Sequence, residues 1–199
     1  HALREAFSYP SFNLLMAGYF VCGFQVVFIG VHMPSYLKDN GLSPQVASYA
    51  LALIGLFNVF GTYIAGTLGQ RMPRRFILSF IYLARAVAIS VFLLVPLSPL
   101  SVYIFSAVMG TLWLSTVPPT NATIAQIFGV QHLSMLGGFV FFSHQLGSFM
   151  GVWLGGYLYD ATGSYDIVWY IAIGLGVLAG LVNLPIKEAP IQRAQPQAA

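Results

Sequence analysis

Two ionisable side chains lie deep inside long apolar runs of the sequence, and their chemistry makes them the first functional candidates. Arg85 lies within the run 76–95, and His144 lies within the run 135–158. A guanidinium is always charged and can bind a carboxylate through two parallel hydrogen bonds. An imidazole titrates near neutral pH and can bind and release a proton. A helical rise of about 1.5 Å per residue puts each side chain about 14 Å from the same end of the bundle.

Each of these residues also has a structural interpretation. Arg85 can brace a bundle by bonding to helix carbonyls, or to nearby polar side chains such as Tyr82 and Ser79. His144 can be a neutral hydrogen-bond donor packed beside Gln145. We therefore expect either a role in substrate binding or proton coupling, or a role in holding helices together. Ionisable groups at this depth are costly, so a functional role is the first hypothesis to test.

Three amides in or next to apolar runs add to the candidate set, namely Gln25, Asn58 and Asn121. Such amides can bind a substrate, and they can equally join helices to one another. None of the runs holds an Asp or Glu. The sequence has no His-Glu-x-x-His pattern, no nucleotide-binding loop and a single cysteine, so we expect no enzyme, no metal site and no cofactor.

The elements that position these residues follow from composition. The chain has 199 residues, of which 58% are hydrophobic and 7% are charged, whereas soluble domains carry about 25% charged residues. A transmembrane helix needs about 20 apolar residues. The sequence therefore predicts an all-α membrane protein of six transmembrane helices. The predicted spans are 12–33, 46–68, 76–95, 101–117, 135–158 and 167–184.

Loop charges predict the orientation, because Lys and Arg concentrate in cytoplasmic loops. One side of the predicted bundle holds six basic residues and the other side holds only Lys38. The six are Arg4, Arg71, Arg74, Arg75, Lys187 and Arg193. We therefore expect both termini in the cytoplasm. The net charge of +3 is explained by this topology, and we expect no nucleic-acid partner.

The predicted organisation has three parts. Residues 1–11 form a cytoplasmic lead-in, 12–185 form the transmembrane bundle, and 186–199 form a disordered cytoplasmic tail. Within the bundle, Pro118 and Pro119 should end or kink the fourth span, because proline removes a backbone donor. The segment 121–128 is then expected to continue as a short broken or interfacial helix.

Three glycines spaced four residues apart, Gly147, Gly151 and Gly155, lie on one face of the fifth predicted span. Small residues at this spacing let two membrane helices approach closely. The stripe therefore predicts helix packing, either within this bundle or against another part of the protein.

The segment from Gly66 to Arg75, with sequence GTLGQRMPRR, resembles the loop signature of the major facilitator superfamily. Gly66, Arg71, Arg74 and Arg75 match that signature, whereas Gln70 and Pro73 replace its acidic residue and its glycine. The segments STVPPTNATIAQIFG and GGYLYDATGSYDIVWY resemble the monocarboxylate-transporter-like bacterial branch of the same superfamily.

The resemblance implies a fold of two six-helix halves that bind substrate between them and work by alternating access. It implies that this chain is the C-terminal half and that a missing N-terminal half, in the same chain or a separate one, is its partner. A six-helix protein that dimerises is the alternative. The resemblance also implies that the four matching loop residues form a gate, and simple positive-inside anchoring of the loop is the alternative. The arginine that binds substrate in animal monocarboxylate carriers lies in the second span of this half, where this sequence has no charged residue.

The resemblance favours an ion-driven transporter of small organic solutes, with monocarboxylate-like anions as the preferred substrate class, in a bacterial inner membrane. Efflux of amphipathic drugs is the second transport hypothesis. A six-helix relic or scaffold that no longer transports is the third. The partners expected are the missing half, the solute and membrane lipid.

Overall fold

A computed structural model describes residues 2–191, and within that range the chain forms helices joined by short connections. The helices are α1 (Ala2–Ser8), α2 (Pro10–Asp39), α3 (Pro44–Leu68), α4 (Arg74–Leu94), α5 (Pro99–Leu112), α6 (Val117–Phe128), α7 (Leu133–Thr162) and α8 (Asp166–Asn183). A 3-10 turn, Val130–His132, precedes α7. Several helices begin with a proline, which fits the first turn because its missing N–H would be unpaired there anyway.

Five segments of the described chain are long and apolar enough to cross a membrane. They are α2, α3, α4, α5 together with α6, and α8. The sequence predicts six spans, and the difference is α7. That helix has 30 residues and is long enough, but His144, Gln145 and several glycines and serines lower its hydropathy.

The helices associate mainly in three pairs: α2 with α7, α3 with α5, and α4 with α8. Aromatic side chains fill the space between the pairs near one end of the bundle. Phe92 and Phe105 stack with ring centroids 4.1 Å apart, and both contact the fully buried Trp169. This packing joins α4, α5 and α8 into one body, because each ring belongs to a different helix.

Backbone-to-backbone contact joins α2 to α7. A Cβ added at Gly147 would overlap the carbonyl oxygen of Phe20, and a Cβ added at Gly151 would lie 2.5 Å from the carbonyl oxygen of Phe24. At Gly155 the added atom would lie 2.7 Å from the ring of His32. The glycine stripe therefore faces α2 of the same bundle. The close approach works only without side chains, which explains the residue type at all three positions.

The fourth predicted span is interrupted. The structure breaks the helix over residues 113–116, between α5 and α6, one turn before Pro118 and Pro119. A proline removes the donor to the carbonyl four residues earlier and collides with that carbonyl. The groups affected by these two prolines are therefore those of Leu114 and Ser115, so the break falls there. The expected short helix is present as α6, but it begins at Val117 and carries both prolines in its first turn, and its Ile124 and Ile127 are buried.

Both ends of the described chain have defined structure. Residues 2–8 form α1, and α2 already begins at Pro10. After α8, Ile186 is fully buried, the Lys187 amide donates to Ser11 Oγ at 2.9 Å, and the Ile191 amide donates to the Ile127 carbonyl at 3.0 Å. The first residues of the predicted disordered tail are therefore packed against α2 and α6. The rest of the predicted tail, residues 192–199, lies outside the described residues. Arg193, which was counted for the orientation, is one of them.

Candidate functional site

The broken helix leaves backbone carbonyls without helical partners, and Arg85 of α4 binds them. Its Nε and Nη2 donate to the Leu112 carbonyl at 3.0 and 2.7 Å, and Nη2 also donates to the Trp113 carbonyl. Arg85 is fully buried. In a membrane, such carbonyls have no water to bond to, so an internal donor is needed. The guanidinium thus holds the C-terminal end of α5, where a cation is also favoured by the helix dipole.

Asn58 of α3 holds the other side of the same break. Its Oδ1 accepts the backbone N–H of Leu114 at 3.0 Å and the Thr62 hydroxyl at 3.3 Å. Arg85 supplies donors and Asn58 supplies an acceptor, so the two together satisfy backbone groups of both kinds. Two of the predicted site residues therefore meet at one structural feature, which we call the helix break (residues 113–116).

A cluster of polar side chains surrounds the helix break inside the bundle. Cys22 of α2 is fully buried, and its Sγ lies 3.4 Å from the Thr116 Oγ1. The Tyr82 ring lies against the Arg85 guanidinium, with 5.4 Å between Cζ and the ring centroid. Next to Cys22, Gly23 packs against the His144 backbone of α7, where an added Cβ would overlap the His144 carbonyl oxygen. These residues come from α2, α4, α7 and the helix break itself, so the cluster joins separate parts of the bundle.

His144 of α7 lies at the edge of this cluster. It is 7% exposed, and its ring lies 5.2 Å from that of Tyr19 and 5.6 Å from that of Phe141. Its Nδ1 lies 3.3 Å from Gln145 Oε1 and 3.4 Å from Ser148 Oγ. The imidazole therefore has a hydrogen-bonding neighbour on its own helix and is almost enclosed by aromatic rings.

Two buried polar atoms of the candidate substrate-binding residues have no hydrogen-bond partner within the described part of the chain. One is Arg85 Nη1, the terminal nitrogen that does not bind the helix break. The other is Oε1 of Gln25, whose Nε2 donates to the Ala172 carbonyl of α8 at 2.8 Å. Buried polar groups are normally paired, so each of these atoms has capacity to bind a further group.

Asn121 lies apart from the cluster. It is exposed on α6 and faces Gly137 of α7, where an added Cβ would lie 3.8 Å from its Oδ1. The structure thus brings Arg85, Asn58 and His144 around one region and does not bring Asn121 there.

The predicted gating loop joins the C-terminal end of α3 to the start of α4. Arg74 donates to Gln126 Oε1 of α6 and lies 3.6 Å from the Glu188 carboxylate. Glu188 also accepts the Arg75 backbone N–H at 2.9 Å, at the first turn of α4. Gly66 faces Pro118, and Arg71 is exposed. The loop is therefore tied to α6 and to the segment after α8.

Glu188 caps the N-terminus of α4 and forms an ion pair with Arg74. A carboxylate at a helix N-terminus satisfies a free N–H and interacts favourably with the dipole. Sequence reasoning missed this role because Glu188 is more than a hundred residues away along the chain. The sequence did offer one indication of this role, because Glu188 is an acidic residue on the same predicted side of the membrane as the loop arginines.

We expect Glu188→Ala to lower the free energy of unfolding by about 1 kcal/mol, because it removes the cap of α4 and the ion pair with Arg74. The effect should shrink at high salt, since part of it is electrostatic. Thermal unfolding in detergent at low and high ionic strength measures it. Asp160→Ala removes an exposed carboxylate at the other end of the bundle and should change little. Equal effects of the two substitutions would contradict the role of Glu188.

A known family model matches most of the sequence. The model described as Major Facilitator Superfamily matches residues 15–199. This range begins inside α2 and includes every later helix, so the helix break, the polar cluster and the arginine-bearing loop all lie within it.

Individual proteins show the same likeness. The chain is 28% identical over 178 residues to "Uncharacterized MFS-type transporter YcxA" of Bacillus subtilis (strain 168), covering 86% of this chain and 43% of that protein. It is 26% identical over 179 residues to "Monocarboxylate transporter 13" of Rattus norvegicus, covering 87% and 40%. It is 26% identical over 166 residues to "Monocarboxylate transporter 12-B" of Danio rerio, covering 82% and 35%. The chain thus spans less than half the length of the curated relatives it matches.

Proposed function

The chain belongs to the Major Facilitator Superfamily and is an all-helical membrane protein, and on this premise we propose that it is the C-terminal half of a secondary active transporter. The match over residues 15–199 carries the proposal. In this proposal α7 crosses the membrane as a sixth span, despite its lower hydropathy, because His144 and its glycine stripe face α2 and the polar cluster. A missing N-terminal half completes the transporter, and solute passes between the halves by alternating access.

The proposed location is a bacterial inner membrane, with both termini in the cytoplasm. The arginine-bearing loop between α3 and α4 then lies on the cytoplasmic side, as the positive-inside rule requires. Contacts between this loop, α6 and Glu188 support a gating role for Gly66, Arg71, Arg74 and Arg75. Such contacts must break and re-form if the ends of these helices move during transport.

The proposed substrates are small organic solutes, with monocarboxylate-like anions as the preferred class, moved in symport with an ion. Two observations support this choice. Several relatives carry the name monocarboxylate transporter. The bundle also holds the fixed charge of Arg85 with no Asp or Glu inside the predicted spans, so its interior is electropositive and favours an anion.

Residue roles follow from this substrate class. Arg85 Nη1 and the unpartnered Oε1 of Gln25 are the polar atoms proposed to bind solute or water when the bundle opens. His144, next to the cluster, is the proposed proton carrier. Asn58 holds the helix break, and Asn121 is a proposed contact for solute approaching along α6.

One observation favours a second function, efflux of amphipathic compounds. Arg85 already donates three hydrogen bonds to the carbonyls of Leu112 and Trp113, so much of its binding capacity is used inside the protein. A carrier without a fixed anion partner would bind uncharged or cationic amphipaths through aromatic and apolar walls.

The test is uptake of labelled lactate and pyruvate into cells that express the full-length gene product, with and without an imposed inward proton gradient. Gradient-dependent uptake above that of cells with an empty vector is expected. Absence of uptake for every acid, at verified membrane abundance, would contradict the monocarboxylate assignment. Accumulation of a fluorescent amphipathic dye in the same cells then tests the efflux alternative, since an exporter lowers it.

A further inference from the structure

A pocket rich in arginine lies at the end of the bundle where α3 ends and α4 begins. Its volume is about 500 Å³. Its polar lining consists of Gln70, Arg71, Arg74, Arg75, Gln126 and Glu188. We call it the arginine pocket. Three arginines and one glutamate give it a formal charge of +2 (3 − 1). The single glutamate cannot neutralise three arginines, so the pocket has a net positive charge.

The hydrogen bonds of the pocket show which donors remain. Glu188 is occupied on both oxygens, by the Arg75 backbone N–H at 2.9 Å and by Arg74 Nη1 at 3.6 Å. Arg75 Nη1 donates weakly to the Ile186 carbonyl at 3.4 Å. Arg74 Nε is buried and has no partner within residues 2–191. The Arg71 guanidinium is exposed and makes no hydrogen bond or ion pair in that range either.

Within the described part of the chain, the free Arg71 guanidinium and the unpartnered Nε of Arg74 suit a phosphate, although Arg74 Nη1 is already engaged by Gln126 and Glu188. The planar fork of arginine matches two phosphate oxygens, and each such bond is charge-assisted. Arg71 and Arg74 approach the pocket from the loop and from the first turn of α4, so they surround a ligand from two sides. The N-terminus of α4 adds the positive end of a helix dipole to the same region.

Apolar residues beside the pocket favour a lipid over a soluble anion as the ligand. Leu68, Met72 and Phe76 are exposed large hydrophobic residues that lie at the end of α3, in the loop and in the first turn of α4. Both helices are membrane-spanning candidates, so this rim lies where the apolar part of the bilayer meets its polar surface. A ligand that fits both features carries a phosphate next to hydrocarbon chains.

We propose that the arginine pocket binds the phosphate headgroup of an anionic phospholipid, with Arg71 and Arg74 as its main contacts and the acyl chains against the Leu68, Met72 and Phe76 rim. Basic pockets between transmembrane helices bind such headgroups in membrane proteins. The assignment does not depend on transport activity. Only the name of the leaflet, cytoplasmic, depends on the proposed orientation.

The test uses the full-length protein, delipidated in mild detergent, with dioleoylphosphatidylglycerol or dioleoylphosphatidylcholine added. Native mass spectrometry counts bound lipids and gives an apparent Kd for each. We expect tighter binding of the phosphatidylglycerol, and an apparent Kd weakened about fivefold in Arg71→Gln, since one basic residue near a membrane surface contributes roughly that factor. Because Arg71 is exposed, its replacement leaves the fold intact. Arg74→Gln should have at least the same effect.

Arg4→Gln is the matched control, because Arg4 is an exposed arginine on the same predicted membrane side and outside the pocket. Equal affinity for the two lipids would overturn the proposal, and so would an Arg71→Gln effect no larger than that of Arg4→Gln. Inorganic phosphate is the third arm. If it displaces phosphatidylglycerol from the intact protein and fails to do so in Arg71→Gln, the pocket takes a soluble anion and the lipid assignment is overturned.

Discussion

Replacing Gly147 by alanine is expected to disrupt the bundle, with a loss of unfolding free energy of about 3 kcal/mol or more. The added Cβ overlaps the Phe20 carbonyl of α2, and backbone atoms cannot rotate away as a side chain can. The helices α2 and α7 must therefore separate along much of their length. Unfolding of the purified protein in mixed micelles, together with its abundance in the membrane, measures the loss.

Gly138→Ala provides the matched control on the same helix. A Cβ added at Gly138 meets no atom within 4 Å. Alanine also has the higher helix propensity, by about 1 kcal/mol, so stability should be unchanged or slightly raised. The same chemical change is thus expected to lower stability strongly at Gly147 and not to lower it at Gly138. A Gly147→Ala protein that is as stable as the Gly138→Ala protein would show that α2 and α7 are not in backbone contact.

Arg85→Gln is expected to lower the free energy of unfolding by about 2–4 kcal/mol, because the carbonyls of Leu112 and Trp113 lose their donors in a region without water. Asn58→Ala should act on the same feature by leaving the Leu114 N–H unpaired, at a cost of about 1–3 kcal/mol. Because both residues hold one helix break, the double variant should lose less than the sum of the single losses.

The same Arg85→Gln protein separates the two interpretations of this arginine when uptake is measured at equal membrane abundance. A brace predicts loss of stability, with uptake reduced only as far as folded protein is reduced. A substrate contact through Nη1 predicts that uptake per folded molecule falls as well. Unchanged stability with uptake abolished would contradict the bracing role. If neither stability nor uptake changes, both proposed roles of Arg85 are contradicted.

The positions of the helices follow well from the sequence because a bilayer constrains them so strongly. Runs of about 20 apolar residues have few alternatives to the helix, and Pro44, Pro99 and Pro118 fall at helix starts or next to the break. The predicted interruption of the fourth span is present for the same reason. It falls before the prolines and not after them, since a proline acts on the carbonyl four residues earlier.

The partners of buried polar groups could not be predicted in this way. Arg85 and Leu112 are 27 residues apart, Asn58 and Leu114 are 56 apart, and Arg75 and Glu188 are 113 apart. Residue type and depth identified Arg85 and Asn58 as candidates, but only the arrangement of helices decides what they touch. Bracing by helix carbonyls was one of the two interpretations of Arg85, and the direct contacts to the helix break are of that kind.

The weak hydropathy of α7 has a consequence for how the protein is made. A segment inserts into the bilayer from the translocon according to its own apolarity, and α7 carries His144, Gln145 and a stripe of glycines that reduce it. His144 and the glycine stripe face α2 and the polar cluster, so docking against α2 hides them from lipid, whereas Gln145 is exposed on the surface of the bundle. During synthesis α2 emerges about 120 residues before α7 by chain order. Stable insertion of α7 is therefore expected to depend on α2 being already in the membrane as a template.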